Sequence, residues 1–256
     1  EVKRMLKDSR SDRFIDDFTS DWAGFPKLEQ IAINPNYYRW WNPKYKDYMK
    51  LEPAAFLKTL LREDLSCLNC LSSDFMVIND VMAKYYGAPL PGSGHRFSRV
   101  PAIEGRGGIL TQAAFLLAHS DGEDAHAVNR GVWLRGRLLG DPPRDPPPEV
   151  PALSNLDEQD PNAAGLSTKE RLAIHRKGIC LDCHADIDSW GIPMESYDAA
   201  GKIREKVLRL TPDQKVKRRI LRVFDESETR GAPVKGMKEL QKLLREKHAK
   251  DFARGF

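Results

Sequence analysis

Between Asp141 and Pro151 the chain reads Asp-Pro-Pro-Arg-Asp-Pro-Pro-Pro-Glu-Val-Pro. Proline has no backbone donor and fixes φ at about −65°, so neither a helix nor a strand ladder can run through such a stretch. An extended, polyproline-like and fairly stiff segment is expected. It divides the 256 residues into a helical region over 1–140, a proline-rich linker over 141–160 and a C-terminal unit over 161–256. A chain of this length with 41% apolar residues can bury one large core or two smaller ones.

Upstream of the prolines the spacing is helical. Phe14, Phe18 and Trp22 recur at i, i+4 and i+8, which predicts one aromatic face turned to a core. The same spacing returns in Tyr45, Tyr48, Met49, Phe56, Leu60 and Leu61, and again in Phe75, Ile78, Met82 and Tyr85, with Gly87 as the expected stop. Tyr37, Tyr38, Trp40 and Trp41 stand among Asn and Pro and read as a packed loop. Gly87 to Gly108 reads as an irregular connector with a short strand pair near Phe97 to Val100. Helices around Ile109 to His119 and Arg130 to Leu139 complete the region.

Downstream, Ser167-Thr-Lys-Glu170 has the form of a capping box opening a helix to about Lys177. Gly178 then separates it from a second helix. Thr211-Pro-Asp predicts another helix start, and a last helix should run from Met237 to about Lys247. The C-terminal third is therefore expected to be all-helical with long loops, and the whole chain mostly α.

That second helix carries Cys180-Leu-Asp-Cys183-His184, the pattern of c-type haem attachment. Two thiols three residues apart lie on one side of a helix and can add to the two vinyl groups of one haem, while the adjacent imidazole reaches the iron. One covalent haem c is expected on Cys180 and Cys183, with His184 as proximal ligand. A carbonyl of Ile192 or Pro193 is expected to accept the imidazole's other N–H, which puts Met194 on the proximal side. Met237, further downstream at a helix start, is the distal candidate. His119, His126, His175 and His248 are further candidates, as is an open sixth position.

Two other chemistries fit the cysteines. Zinc would need four ligands, two of them supplied by Cys67 and Cys70; a redox dithiol would need a β-α-β setting. Cys67-Leu-Asn-Cys70 is followed by Leu71 and is no second haem motif. Core packing is its expected role, with a local disulfide as the alternative.

Several segments together resemble one family. Asp12 to Phe18 with Trp22, Leu61 to Asp64, Ser73 to Phe75 with Asn79, and Tyr85 to Gly87 form the first set. Gly107 to Ala113, Asn129 to Trp133, the run to Val150-Pro151, His175-Arg176, Cys180 to His184, Ile187-Asp188, Gly191, Glu195 and Tyr197-Asp198 follow in order. The chain thus resembles the large haem-c-bearing proteins common in planctomycetes, built from serial domains of unknown function. The resemblance implies export, covalent haem and a multi-domain parent. Cys67 and Cys70 stand where that family usually has aliphatic residues, and Ala125-His126 replaces a small polar residue and a proline.

Net charge is +4, yet residues 201–256 hold seventeen Lys and Arg against eight Asp and Glu. No nucleic-acid motif or interleaved aromatic row accompanies the charge, so a solvated face is expected, able to dock an acidic partner. No apolar run approaches twenty residues, and no membrane-spanning helix is expected. The chain reads as a mature or excised piece of a longer protein. A periplasmic or extracellular mono-haem c-type cytochrome module is expected, with a cytochrome c-like C-terminal unit passing electrons to redox proteins or to other domains of its parent. The alternative is a haem enzyme module (oxidase, peroxidase or dehydrogenase) with an open distal position, its pocket formed by the loop from His119 to Arg130; a carbohydrate-associated subunit is a third reading.

Overall fold

The structure, a computed structural model, describes residues 1–144, 166–175, 179–209 and 219–256. The proline run beyond Arg144, most of the expected linker, Gly178 and the expected helix start at Thr211 lie outside these residues. Helices dominate what is described, and every strand is four residues long.

After a short α1 (Val2–Lys7), α2 (Ser11–Ala23) carries the aromatic stripe. Phe14, Phe18 and Trp22 stack in series at 6.2 and 6.0 Å, but only Trp22 is buried and Phe14 is 67% exposed. Next come α3 (Pro26–Gln30) and the long α4 (Tyr45–Arg62), which presents Met49, Phe56, Leu57 and Leu60 to the interior. Tyr37 to Trp41 form a loop. Its rings pack on one another and on Tyr85, and Lys202 lies over Trp40 at 4.5 Å.

The helical reading of Phe75 and Ile78 is corrected: Phe75–Ile78 is strand β1, fully buried, paired antiparallel with β2 (Ser98–Pro101) so that Phe75 faces Pro101 and Ile78 faces Ser98. The helix starts only at α5 (Asp80–Tyr86), because the Asn79 side chain accepts the Met82 N–H at 2.9 Å and caps it there. Gly87, left-handed at φ 73°, ends it as the spacing predicts. A 3₁₀ turn (Ile109–Thr111), α6 (Ala113–Ala118), α7 (Ala127–Trp133) and a π-helical turn (Leu134–Leu138) follow.

Beyond the prolines, the Ser167–Glu170 capping box opens α8 (Thr168–His175): the Ser167 N–H and hydroxyl both donate to Glu170 Oε2, at 2.8 and 2.6 Å. Then come α9 (Ile179–Gly191) and a 3₁₀ turn (Ile192–Met194). The all-helical expectation fails in this part. Two antiparallel hairpins occur, β3 (Lys206–Arg209) with β4 (Arg219–Arg222) and β5 (Glu226–Thr229) with β6 (Ala232–Lys235). Their four-residue strands are too short to show a period that a sequence reading could separate from a loop. The chain closes with α10 (Gly236–Lys247) and α11 (Ala249–Gly255).

Residues from both sides of the proline run share one core, in which Trp22, Phe56, Phe115 and Trp133 join Trp190, Met194, Met237 and Phe252. Polar contacts follow the same path. Tyr85 donates to the Ala200 carbonyl at 2.6 Å, Arg106 to that of Gly201 at 2.7 Å, and Gln241 to that of Gly107 at 2.6 Å. Among the described residues no helix is long and apolar enough to cross a membrane.

Candidate haem-attachment site

Helix α9 carries the whole Cys-x-x-Cys-His motif. Cys180 lies in its first turn, with its side chain outside the described residues; Cys183 is a free, half-buried thiol. His184 follows with a side chain only 13% exposed, and its Nδ1 stands 3.0 Å from Oδ1 of Asp188, one helical turn on. Asp188 has no exposed side-chain surface. The partner of Nδ1 is thus a carboxylate on the same helix. Of the two carbonyls the sequence offers for this role, that of Ile192 accepts the Glu195 N–H, and Pro193 is buried in the 3₁₀ turn. An i,i+4 His–Asp pair on a helix was a readable signal, since residues so spaced are neighbours on one face.

The helix is held by backbone contact. A Cβ on Gly131 of α7 would lie 2.3 Å from the Ile187 carbonyl oxygen, and one on Gly191 would lie 1.9 Å from that of Ala127. No side chain fits between α7 and α9 at these two points, and they bracket Asp188. Next to Gly131, the fully buried Arg130 sends its guanidinium to the carbonyls of Met194, Tyr197, Asp198 and Leu116 at 2.8 to 3.1 Å. Burial lowers its pKa to about 10, which leaves it charged at neutral pH. On the outer side, Arg135 bridges Asp186 of α9 and Asp141, each at 2.8 Å.

A second charged cluster ties the surrounding elements together. Asp124 meets Arg209 of β3, Arg204 at 3.5 Å and Arg171 of α8 at 3.8 Å, while Arg204 also pairs with Glu195 at 3.0 Å. Burial alone would raise the Asp124 carboxyl, but Arg209 and Arg204 overcome it and hold the group well below the usual carboxylate range.

The distal candidates fall in different places. Met237 is buried in the first turn of α10, within the shared core. His119 is buried between Phe115 and Trp133, its Nδ1 2.9 Å from the Phe115 carbonyl, and burial lowers its pKa to about 3. His126 sits left-handed at φ 58° and caps α7 by accepting the Asn129 N–H at 3.3 Å. His248 packs edge-on against Trp190 at 5.3 Å and pairs with Asp251 at 2.9 Å. The side chain of His175 lies outside the described residues. Trp190, on α9 itself, is fully buried with an indole N–H that meets no acceptor among them.

Cys67 is exposed, Cys70 is buried in the core, and both thiols are free. Among the described residues no group of three or more His, Cys, Asp or Glu side chains is placed to hold a metal ion. Cys67 and Cys70 therefore do not converge with Cys183 and His184 into a zinc site.

Residues 106–207 match PSCyt3, a protein of unknown function (DUF1588). Residues 1–88 match PSD4, a protein of unknown function (DUF1592). These two domains of unknown function are found in planctomycete-type cytochrome c proteins. The PSCyt3 match contains α7, the proline run, the Cys180–His184 segment and Asp188, so one domain holds both helices of the glycine crossing. No curated protein and no solved structure matches the chain.

Proposed function

We propose that the chain is an extracytoplasmic module that carries one covalent haem c and serves in electron transfer. The observation that carries this reading is the Cys-x-x-Cys-His motif on a docked helix, with its imidazole steered from Nδ1 by a buried carboxylate. The donor set fits the group: two cysteines at thioether spacing, and a histidine whose engaged Nδ1 makes Nε2 the ligating atom. When bound, the haem supplies a one-electron ferric/ferrous couple. Cys180 and Cys183 keep it attached in a periplasmic or extracellular setting, where a dissociable cofactor would be lost. His184 holds the iron, and the backbone contacts at Gly131 and Gly191 keep the helix from shifting when the charge changes.

Partners are redox proteins or other domains of a longer parent. Lys238, Lys242 and Arg245 are exposed on one face of α10, a surface complementary to an acidic donor or acceptor. The absorption spectrum of the reduced, haem-loaded protein with and without carbon monoxide tests the role. A six-coordinate spectrum indifferent to carbon monoxide is the expected result. Rapid carbon monoxide binding would instead point to an open iron and to enzyme chemistry.

A further inference from the structure

Within that haem reading, Asp188 has a job of its own. A carboxylate with no exposed surface is costly to bury unless it is paired, and the partner on this helix is the residue that would ligate the iron, at 3.0 Å. The pair needs no loop to assemble it, since four residues of α-helix bring the two side chains together. The position is also rigid: the points where α9 touches α7 backbone to backbone, at Ile187 and Gly191, lie on either side of residue 188.

We propose that Asp188 is a positioning residue that tunes the haem through His184. By accepting the Nδ1–H bond, its carboxylate fixes the tautomer in which Nε2 faces the iron, and it draws the imidazole toward anionic character. A carboxylate does this more strongly than a backbone carbonyl, because charge-assisted hydrogen bonds are roughly twice as strong as neutral ones. A more electron-donating imidazole stabilises ferric over ferrous iron, so Asp188 lowers the reduction potential. The module would then serve as a donor to acceptors of higher potential, and the exchange is one electron with no bond made or broken.

The test uses the full chain, haem-loaded, with Asp188→Asn, which keeps an acceptor oxygen and removes the charge, and Asp188→Glu, which keeps the charge. Midpoint potentials come from spectroelectrochemical titration, and haem attachment is read separately from the protein mass. The expected result is unchanged attachment in both variants, a higher potential in Asp188→Asn and a potential returned toward the parent value in Asp188→Glu. Equal potentials in the parent and Asp188→Asn would overturn the proposal while leaving the haem reading intact. Absence of covalent haem from the parent would overturn both. If Asp188→Asn does not fold, the redox-difference infrared spectrum of the parent, labelled with ¹⁵N at histidine, decides: a ring mode typical of a carboxylate-bonded imidazole supports the role, and one typical of a carbonyl-bonded imidazole contradicts it.

Discussion

Arg130 is fully buried, yet its guanidinium is matched to four carbonyl oxygens that belong to α6, to the 3₁₀ turn after α9 and to the residues beyond it. Replacing it with Met keeps much of the volume and takes a donor from each of the four carbonyls, although those of Met194 and Asp198 still accept the Tyr197 and Gly201 N–H groups. A loss of about 3–5 kcal/mol is expected from urea unfolding, in the range seen when one partner of a buried charged network is removed. Glu52 gives a pH-dependent counterpart. It is buried on α4 with Tyr86 donating to it at 2.5 Å, and burial pushes its pKa from 4.5 up to about 7. The folded state therefore holds the proton where the unfolded chain has released it, and stability falls as pH rises from about 4.5 to about 7, then levels. Glu52→Gln should match the parent in urea titrations at pH 4 and exceed it by up to about 3 kcal/mol at pH 8. An unchanged difference between the two pH values would show that Glu52 is not held protonated.

At the scale of elements, the crossing of α7 and α9 depends on two residues with no side chain. Gly191→Ala places a methyl where the Ala127 carbonyl already is, so the helices must separate; a cost of about 1–3 kcal/mol or more is expected in thermal or urea unfolding. Gly136→Ala is the control, since its added methyl would meet only Pro142, at 3.6 Å, an ordinary contact. The caps behave more simply. Asn79→Ala should cost about 1 kcal/mol, because it removes the acceptor that starts α5.

The same elements explain what could be read ahead of the structure. Ser167 and Glu170 declare a helix start by their chemistry and their three-residue spacing. Phe75 and Ile78 mislead, because a strand followed at once by a capped helix happens to continue the i, i+3 and i+4 spacing; Asn79 was the residue that marks the break. Cys180 to His184 stands out in the sequence because c-type haem attachment uses that spacing, and the structure places the segment on one helix, α9. Asp188 is harder to read, because the c-type pattern points to a downstream carbonyl, at Ile192 or Pro193, whereas the carboxylate beside Nδ1 lies one turn along the same helix. The depth of contact at Gly131 and Gly191 could not be read, since a lone glycine in a helical pattern does not say which backbone approaches it.

For the whole molecule, the described residues before and after the proline run belong to one core. Trp22 and Trp133 exchange hydrogen bonds with the backbone around α2 and the π turn, and the same core takes in Trp190, Met237 and Phe252. Unfolding should therefore be cooperative: tryptophan fluorescence and far-ultraviolet circular dichroism are expected to report one coincident urea transition. Two separated midpoints would mean that the parts on either side of the prolines are stabilised independently.

The intact mass of the chain, produced in cells able to attach haem c, is the most direct measurement. One added haem per chain is predicted, lost entirely in Cys180→Ala/Cys183→Ala. An unmodified mass, or zinc in place of iron on metal analysis, would contradict it.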